Sequence, residues 1–207
     1  AVERYSFIHQ GDEPRVNAVM AELGTAAIHS RDVLHFSAQQ YDQREALNAA
    51  SNVNNDWIPQ RFDAERAIDW TPVWSLTEAR QRFLPSAYCY LWYPLEKDHD
   101  FCRADSNGNA ADNTIEEAIY QGFLEVVERD AVALWWYNGL RRPRVDLDSF
   151  DQPYFRDITA HYHKVGRELW VLDLTADLGI PVMAAVSRRI GGDGDALALE
   201  RRADLAR

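Results

Sequence analysis

The stretch from Ser106 to Tyr137 constrains the fold of this chain more strongly than any other segment. It opens with polar residues and a glycine, and it continues as one long pattern of helical spacing. Asn113 or Thr114 can cap this helix, and Thr114 with Glu117 three residues later fits a capping box. Apolar residues cover much of the remaining circumference, which is typical of a buried helix. We therefore predict one long central helix packed against a sheet.

A polar stripe runs along one face of this predicted helix and consists of Glu117, Gln121, Glu125 and Glu128. Such a stripe is commonly the solvated face of an amphipathic helix. The alternative is a site inside the protein, because like charges spaced three or four residues apart repel each other on a helix. Divalent cations would relieve that repulsion, and hard oxygen ligands suit Mg²⁺. The pattern alone leaves both interpretations open.

The other periodic segments predict an α+β fold. We expect the central helix to bury Phe123, Val127 and Leu134 against a sheet of three apolar segments, namely Ala87–Tyr93, Glu168–Thr175 and Pro181–Arg188. A further strand is predicted at Asp69–Leu76, and helices are predicted at Glu13–His29 and Tyr154–Lys164. The run Ser51–Asp56 is typical of a loop.

Composition narrows the class of protein. The 207 residues are 46% hydrophobic, which is enough for a real core and makes one domain the natural count. A formal net charge of −11 disfavours binding to nucleic acids or anionic membranes, which need a basic surface. With two cysteines, no apolar run of about 20 residues and no signal peptide, we predict a soluble cytoplasmic protein without disulfides.

The segment SNGNAADNTIEEAIYQGFLEVVERDAVALWWYNGLRRP, residues 106–143, resembles the central motif of the YcaO family, ATP-dependent enzymes that activate peptide amides. The run Glu125–Asp130 is similar to the second ExxER element of that family, and Glu117 with Gln121 matches its ExxxQ pair. Three further segments resemble the SagD-like peptide cyclodehydratase branch, which forms thiazoles and oxazoles: Asp69–Leu76, Leu84–Pro94 and Gly166–Arg188.

The resemblance implies a function and a set of site residues. It implies that ATP activates a backbone amide after a Cys, Ser or Thr side chain of a ribosomally made peptide has attacked it, which leaves an azoline. It further implies that Glu3, Glu125 and Glu128 bind Mg²⁺, with the Glu3 carboxylate close enough to Glu125 or Glu128 to share a metal. The residues matched to the nucleotide site are Asn113, Glu117, Gln121, Arg129 and Arg4. No side chain is expected to act covalently.

The partners implied are a precursor peptide, a protein or domain that binds its leader, and, as a further option, a second copy of the chain. We expect residues 1–190 to be part of a domain of this family, truncated at both ends, and residues 191–207 to be an atypical charged tail. We therefore expect the chain by itself not to turn over ATP. The alternatives are thioamide formation or another amide activation, or an inactive fragment that serves as a binding or scaffold piece.

Overall fold

The computed structural model describes residues 2–51, 57–96 and 99–191 and has an α+β fold, as predicted. The predicted tail after residue 191 and residues 52–56 of the predicted loop lie outside this part of the chain. The helices are α1 (Val2–Ser6), α2 (Met20–Leu23), α3 (Arg31–Leu34), α4 (Ala38–Asp42), α5 (Arg44–Ala50), α6 (Ser86–Cys89), α7 (Ile115–Asn138) and α8 (Pro153–Lys164). The strands are β1 (Val16–Ala18), β2 (Ile68–Ser75), β3 (Arg80–Pro85), β4 (Arg167–Asp173) and β5 (Met183–Arg189). Two short 3₁₀ helices cover Gly24–Ala26 and Leu147–Phe150.

The chain divides into two compact units, an N-terminal unit of Ala1–Ala111 and a C-terminal unit of Asp112–Arg207. The N-terminal unit contains an antiparallel sheet in the order β1-β2-β3. Its core surrounds Trp70, which is fully buried and donates a hydrogen bond from its indole nitrogen to the Ala18 carbonyl at 3.0 Å. Pro72 lies in β2 beyond the residues that pair with β1, so its missing amide proton interrupts no ladder on that side.

Two predictions for the N-terminal unit are wrong. Instead of one helix, Glu13–His29 contains β1, the single-turn helix α2 and a 3₁₀ turn, because Ala18 pairs with Ile68 in the sheet and Gly24 breaks the helix at a φ of 54°. The predicted strand Ala87–Tyr93 begins within helix α6 instead. Ser86 starts this helix as a buried residue whose hydroxyl is bonded to the Thr71 hydroxyl at 2.9 Å.

The C-terminal unit is built on α7 and the antiparallel pair β4–β5. Helix α7 starts with the predicted capping box, in which Thr114 Oγ1 accepts the Glu117 amide and the Glu117 carboxylate accepts the Thr114 amide, both at 3.2 Å. It ends at Gly139, whose φ of 59° is the left-handed conformation that glycine adopts without strain. The predicted strands at 168–175 and 181–188 and the predicted helix at 154–164 are confirmed within one or two residues.

One row of α7 side chains packs against this two-stranded sheet. Val127, Ala131 and Trp135, spaced four residues apart, form a buried cluster with residues of β4 and the segments that follow it. The predicted contact between the helix and these two strands is therefore confirmed. The prediction that Phe123 and Leu134 are buried is wrong, since they are 49% and 40% exposed. Val132 also packs against this cluster, so the contact covers one side of the helix and leaves the other side exposed.

Within the part of the chain that the structure describes, no helix combines the length and the apolar character that a membrane crossing requires.

Candidate functional site

A cavity of about 340 Å³ lies in the C-terminal unit beside α7. Four residues of the helix line one wall, and the opposite wall is the connection that leads into β5. The lining residues are Gln121, Leu124, Glu125, Glu128, Ile180, Pro181, Val182 and Met183. Three members of the polar stripe therefore share one cavity.

The position of the stripe follows from the packing of the helix. Val127 and Ala131 hold α7 against the sheet, and Glu128 is the next residue along from Val127, about 100° around the axis. Gln121 and Glu125 are one turn apart on the same side, because residues four apart are neighbours on a helix surface. The buried row thus fixes the direction in which the polar row points.

The opposite wall is held by hydrogen bonds that its backbone makes to backbone and side-chain groups. The Leu174 amide donates to the Val182 carbonyl at 2.8 Å, and the Val182 amide donates to Thr175 Oγ1 at 3.3 Å. Gly179 makes the turn between them with a φ of 67° and donates its amide to the Ala176 carbonyl at 3.1 Å. These bonds return the chain to α7 and bring Ile180–Met183 opposite the carboxylates.

Glu125 is the most enclosed acid of the stripe for which a contact is resolved. Its side chain is 27% exposed and accepts a hydrogen bond from Arg129 Nη2 at 3.0 Å, an ion pair between residues four apart. Such a pair adds only about 0.3–0.5 kcal/mol to helix stability. Its main consequence is orientation, because it holds one carboxylate oxygen of Glu125 toward the guanidinium. Arg129 is thus placed to orient this acid.

Glu117 and Asn113 occupy the start of the helix. The Glu117 carboxylate accepts from both the amide and the hydroxyl of Thr114, each at 3.2 Å, and the residue is not among those that line the cavity. The Asn113 side-chain amide donates to Asp112 Oδ1 at 3.2 Å. Of the four stripe residues, Glu117 therefore does not line this cavity, and its carboxylate caps the helix.

Glu3 and Arg4 lie on the exposed helix α1 of the N-terminal unit. The Glu3 carbonyl accepts hydrogen bonds from Ser6 Oγ at 2.6 Å and from Asn109 Nδ2 at 2.9 Å, so the loop that carries Asn109 fixes the backbone of this helix. A metal shared between Glu3 and Glu125 or Glu128 stays a prediction.

The donor set of the cavity fits Mg²⁺. Among the described residues, no group of three or more His, Cys, Asp or Glu side chains is arranged to hold a metal ion. Mg²⁺ does not need such a group, because it is usually bound by one or two carboxylates with water and substrate phosphates completing the octahedron. Glu125 and Glu128 provide two carboxylates, and Gln121 provides an amide oxygen on the same cavity. These residues could therefore hold a magnesium ion together with a nucleotide.

The two cysteines have the character of structural residues. Both are free thiols. Burial raises the pKa of Cys89 to about 11, and burial also raises the pKa of Cys102. Because the thiolate is the nucleophilic form, neither side chain is activated at neutral pH.

Sequence reasoning missed the wall formed by Ile180–Met183. Ile180 follows a glycine in the connection between two predicted strands, and Pro181–Met183 open the second strand, so the pattern indicates only a connection and the start of a strand. A prediction that the two strands pair as a hairpin could have found this wall, because a hairpin returns the chain to the same side of the helix.

The match to a family model decides the family. The model described as YcaO cyclodehydratase, ATP- and Mg²⁺-binding, matches residues 1–203 of the 207. The chain belongs to the YcaO family. The resemblance carried by the central motif is thereby confirmed, and the family is one that binds ATP and Mg²⁺.

Two solved heterocyclases are similar to this YcaO chain. One, in complex with substrate and cofactor, is 63% identical with a TM-score of 0.88; the match covers 92% of this chain and 25% of that one. The heterocyclase TruD is 62% identical with a TM-score of 0.83, covering 92% of this chain and 28% of that one. An uncharacterized protein of Methanothermobacter thermautotrophicus is 32% identical over 133 residues, which are 63% of this chain and 34% of the relative. The chain thus spans about a third or less of the length of these proteins.

Proposed function

We propose that these residues form part of an ATP-dependent cyclodehydratase that makes azolines from Cys, Ser or Thr residues of a ribosomally synthesised peptide. The side chain of the substrate residue adds to the preceding carbonyl carbon, and the former carbonyl oxygen takes the γ-phosphoryl group of ATP. Loss of that oxygen as phosphate, with a proton from the amide nitrogen, leaves the C=N bond of a thiazoline or oxazoline. Overall, the peptide and ATP are converted to the azoline-containing peptide, ADP and phosphate.

The residues of the cavity serve this reaction by binding and orientation. Glu125 and Glu128 would hold Mg²⁺, with Glu3 as the further acid that the family motif implies, and Arg129 would keep Glu125 in place. Bound Mg²⁺ would neutralise the charge on the transferring phosphoryl group, which is the main need of phosphoryl transfer. Gln121 can contact the nucleotide from the same wall. The assignment of Asn113, Glu117 and Arg4 to the nucleotide rests on the family motif.

The observation that carries the proposal is the convergence of Gln121, Glu125 and Glu128 on one cavity within a chain of this family. An exposed stripe of unpaired acids would favour the solvated-face interpretation. Here Glu125 is partly buried and held by an ion pair, and Gln121 and Glu128, although exposed, line the same cavity.

The similar heterocyclase, solved in complex with substrate and cofactor, supports the substrate, whereas the partner rests on the family resemblance. We propose a precursor peptide as substrate, a leader-binding protein or domain as partner, and a cytoplasmic location, where the peptide is made. The acidic chain has no expected role in binding nucleic acid or membranes.

The test is a chimaera in which these residues replace the matching region of a heterocyclase that is 63% identical. Phosphate release and loss of one water from the peptide are measured with ATP and Mg²⁺. We expect Glu125→Gln with Glu128→Gln to lower both rates by at least about 100-fold, since these residues would bind the metal directly and outer-shell changes alone cost 10- to 100-fold. Glu116→Gln is the control, because Glu116 is an exposed acid of the same helix outside the cavity.

Each outcome separates the alternatives. Full activity of the double variant would contradict the metal assignment. Phosphate release with no loss of water from the peptide would point to another amide activation, such as thioamide formation with an added sulfur donor. A chimaera that folds but releases no phosphate would favour a binding or scaffold piece.

A further inference from the structure

The N-terminal unit contains a second cavity of about 900 Å³, which the proposed reaction does not use. This volume is within the range of pockets that bind small molecules or short peptide segments. We call it the aromatic cavity, after the rings of Trp57, Tyr90 and Trp92 in its lining. Trp92 is 73% exposed, so a large ring face is open to a ligand at this cavity.

The charges of the aromatic cavity leave one carboxylate in excess. Its charged lining residues are Glu96, Asp100, Arg103 and Asp105. Asp100 pairs with Arg103 at 2.9 Å, and Glu96 pairs with Arg66. Within the described residues no cation pairs with Asp105, whose Oδ1 accepts the Asn107 amide at 2.9 Å. The cavity therefore favours a cation and disfavours a phosphate-bearing ligand.

The chain itself shows how this lining holds a guanidinium. The guanidinium carbon of Arg103 lies 3.8 Å from the centre of the Trp57 ring while the same side chain pairs with Asp100. The combination recurs in the same unit, where Arg61 lies 4.8 Å from the Tyr41 ring centre and pairs with Asp42 at 2.7 Å. A planar guanidinium stacks on a ring and donates to a carboxylate at once, which an ammonium does less well.

We propose that the aromatic cavity binds an arginine side chain of a peptide, with the guanidinium on Trp92 and paired with Asp105. The remaining volume accommodates the residues on either side of that arginine. The inference that the arginine belongs to a peptide rests on the proposed function. The inference that the cavity binds a guanidinium rests on the residues that line it.

The experiment is a titration of the 207-residue chain without ATP or Mg²⁺, followed by the chemical shifts of the tryptophan indole N–H signals. The ligands are acetyl-Gly-Arg-Gly-amide and the same peptide with citrulline or lysine in place of arginine. We expect saturable shifts of the Trp92 signal with the arginine peptide. Citrulline has the shape of arginine without its charge, so its peptide should bind at least about tenfold more weakly, and lysine several-fold more weakly.

Variants locate the site. Asp105→Asn and Trp92→Ala should each weaken the arginine peptide by about 3- to 30-fold, the range that a partly desolvated cation–π or charge contact gives. The matched controls are Asp12→Asn, an exposed acid outside the cavity, and Trp74→Ala, which removes a ring that is 64% exposed on β2. Both controls should bind as the unmodified chain does.

Equal binding of the citrulline peptide, or unchanged affinity in both Asp105→Asn and Trp92→Ala, would overturn the proposal. Equal binding of the lysine peptide would overturn the assignment to guanidinium. The titration contains no nucleotide, so its result does not depend on the proposed reaction. If this chain binds the arginine peptide and the chimaera releases no phosphate, the inference is supported and the proposed reaction is contradicted.

Discussion

At the scale of single residues, one carboxylate can be part of a family motif and also stabilise the fold. Glu117 belongs to the ExxxQ pair of the family, and in this structure its oxygen accepts hydrogen bonds from the Thr114 amide and hydroxyl. A loss of activity in a variant of Glu117 would therefore be ambiguous unless stability is measured as well.

The first prediction separates the two roles at this helix start. Thr114→Ala removes the hydroxyl that caps the Glu117 amide, and we expect it to lower the free energy of unfolding by about 1 kcal/mol. Glu117→Gln keeps an oxygen for the capping box, so its cost should stay below about 0.5 kcal/mol. Urea unfolding measures both. A larger loss in Glu117→Gln than in Thr114→Ala would contradict the capping geometry.

The second prediction concerns Asp69 and pH. Burial tends to raise the pKa of Asp69, but hydrogen bonds from Tyr93 and Asn17 and the charge of Arg15 outweigh this and hold the pKa below its usual value. A lowered pKa in the folded state means that the charged form adds stability above the unfolded pKa of about 3.9, and that this stability is lost as the pH falls through the folded value.

We therefore expect Tyr93→Phe to lower the free energy of unfolding by about 1 kcal/mol at pH 7, and the difference from the unmodified chain to shrink below about pH 4. The measurement is urea unfolding across this pH range. Tyr5→Phe, at a tyrosine that is 66% exposed, is the control and should show no such dependence. A deficit that persists unchanged at low pH would show that the hydrogen bond to charged Asp69 is not its source.

At the scale of elements, α7 has a narrow buried row and a wide exposed surface. Val127 is 7% exposed and Val126, its neighbour, is 48% exposed. The two valines share a helix and a residue type, so they make a matched pair for testing which face packs.

The third prediction is that Val127→Ala lowers the free energy of unfolding by about 1–2.5 kcal/mol, because it removes buried methyl groups and leaves a cavity against the sheet. Val126→Ala should change it by less than about 0.5 kcal/mol, since alanine is the better helix former and little contact is lost. Urea unfolding measures both variants. Equal effects would contradict the packing of α7 on β4–β5.

At the scale of the whole molecule, the net charge of −11 opposes the binding of an anionic nucleotide. Two of the acids counted in that charge, Glu125 and Glu128, lie on the cavity itself. Nucleotide binding by such a chain requires a cation that neutralises both the acids and the phosphates.

The fourth prediction follows from this balance of charge. In the chimaera, removal of Mg²⁺ with EDTA should weaken ATP binding at least about tenfold, and added salt should not weaken the residual binding further, because screening relieves repulsion between like charges. Isothermal titration calorimetry with and without Mg²⁺ measures the change. An affinity for ATP that is the same with EDTA as with Mg²⁺ would show that no metal ion links these acids to the nucleotide.

Local signals in the sequence predicted the elements whose causes are local. The capping box, the glycine stop of α7 and the hairpin β4–β5 depend on residues close together in the chain, and the structure contains all three. The predicted helix at Glu13–His29 failed because the pairing of β1 with Ile68–Trp70, fifty or more residues away, overrides its helical spacing. The strand predicted at Ala87–Tyr93 failed for a similar reason, since the buried hydroxyl contact between Ser86 and Thr71 has no signal in the local pattern.

The sequence by itself indicated the family through its motifs, and it determined the helix that carries the acid stripe, because residue type and spacing along one helix fix which side chains share a face. Only the tertiary structure decided which part of that face lines a cavity. Val127, Ala131 and Trp135 set the rotation of α7 on its sheet, and Gly179 turns Ile180–Met183 toward Glu125 and Glu128. The spacing of residues predicts which side chains share a face of α7. The orientation of α7 and the segment opposite that face depend on contacts between residues far apart in the chain.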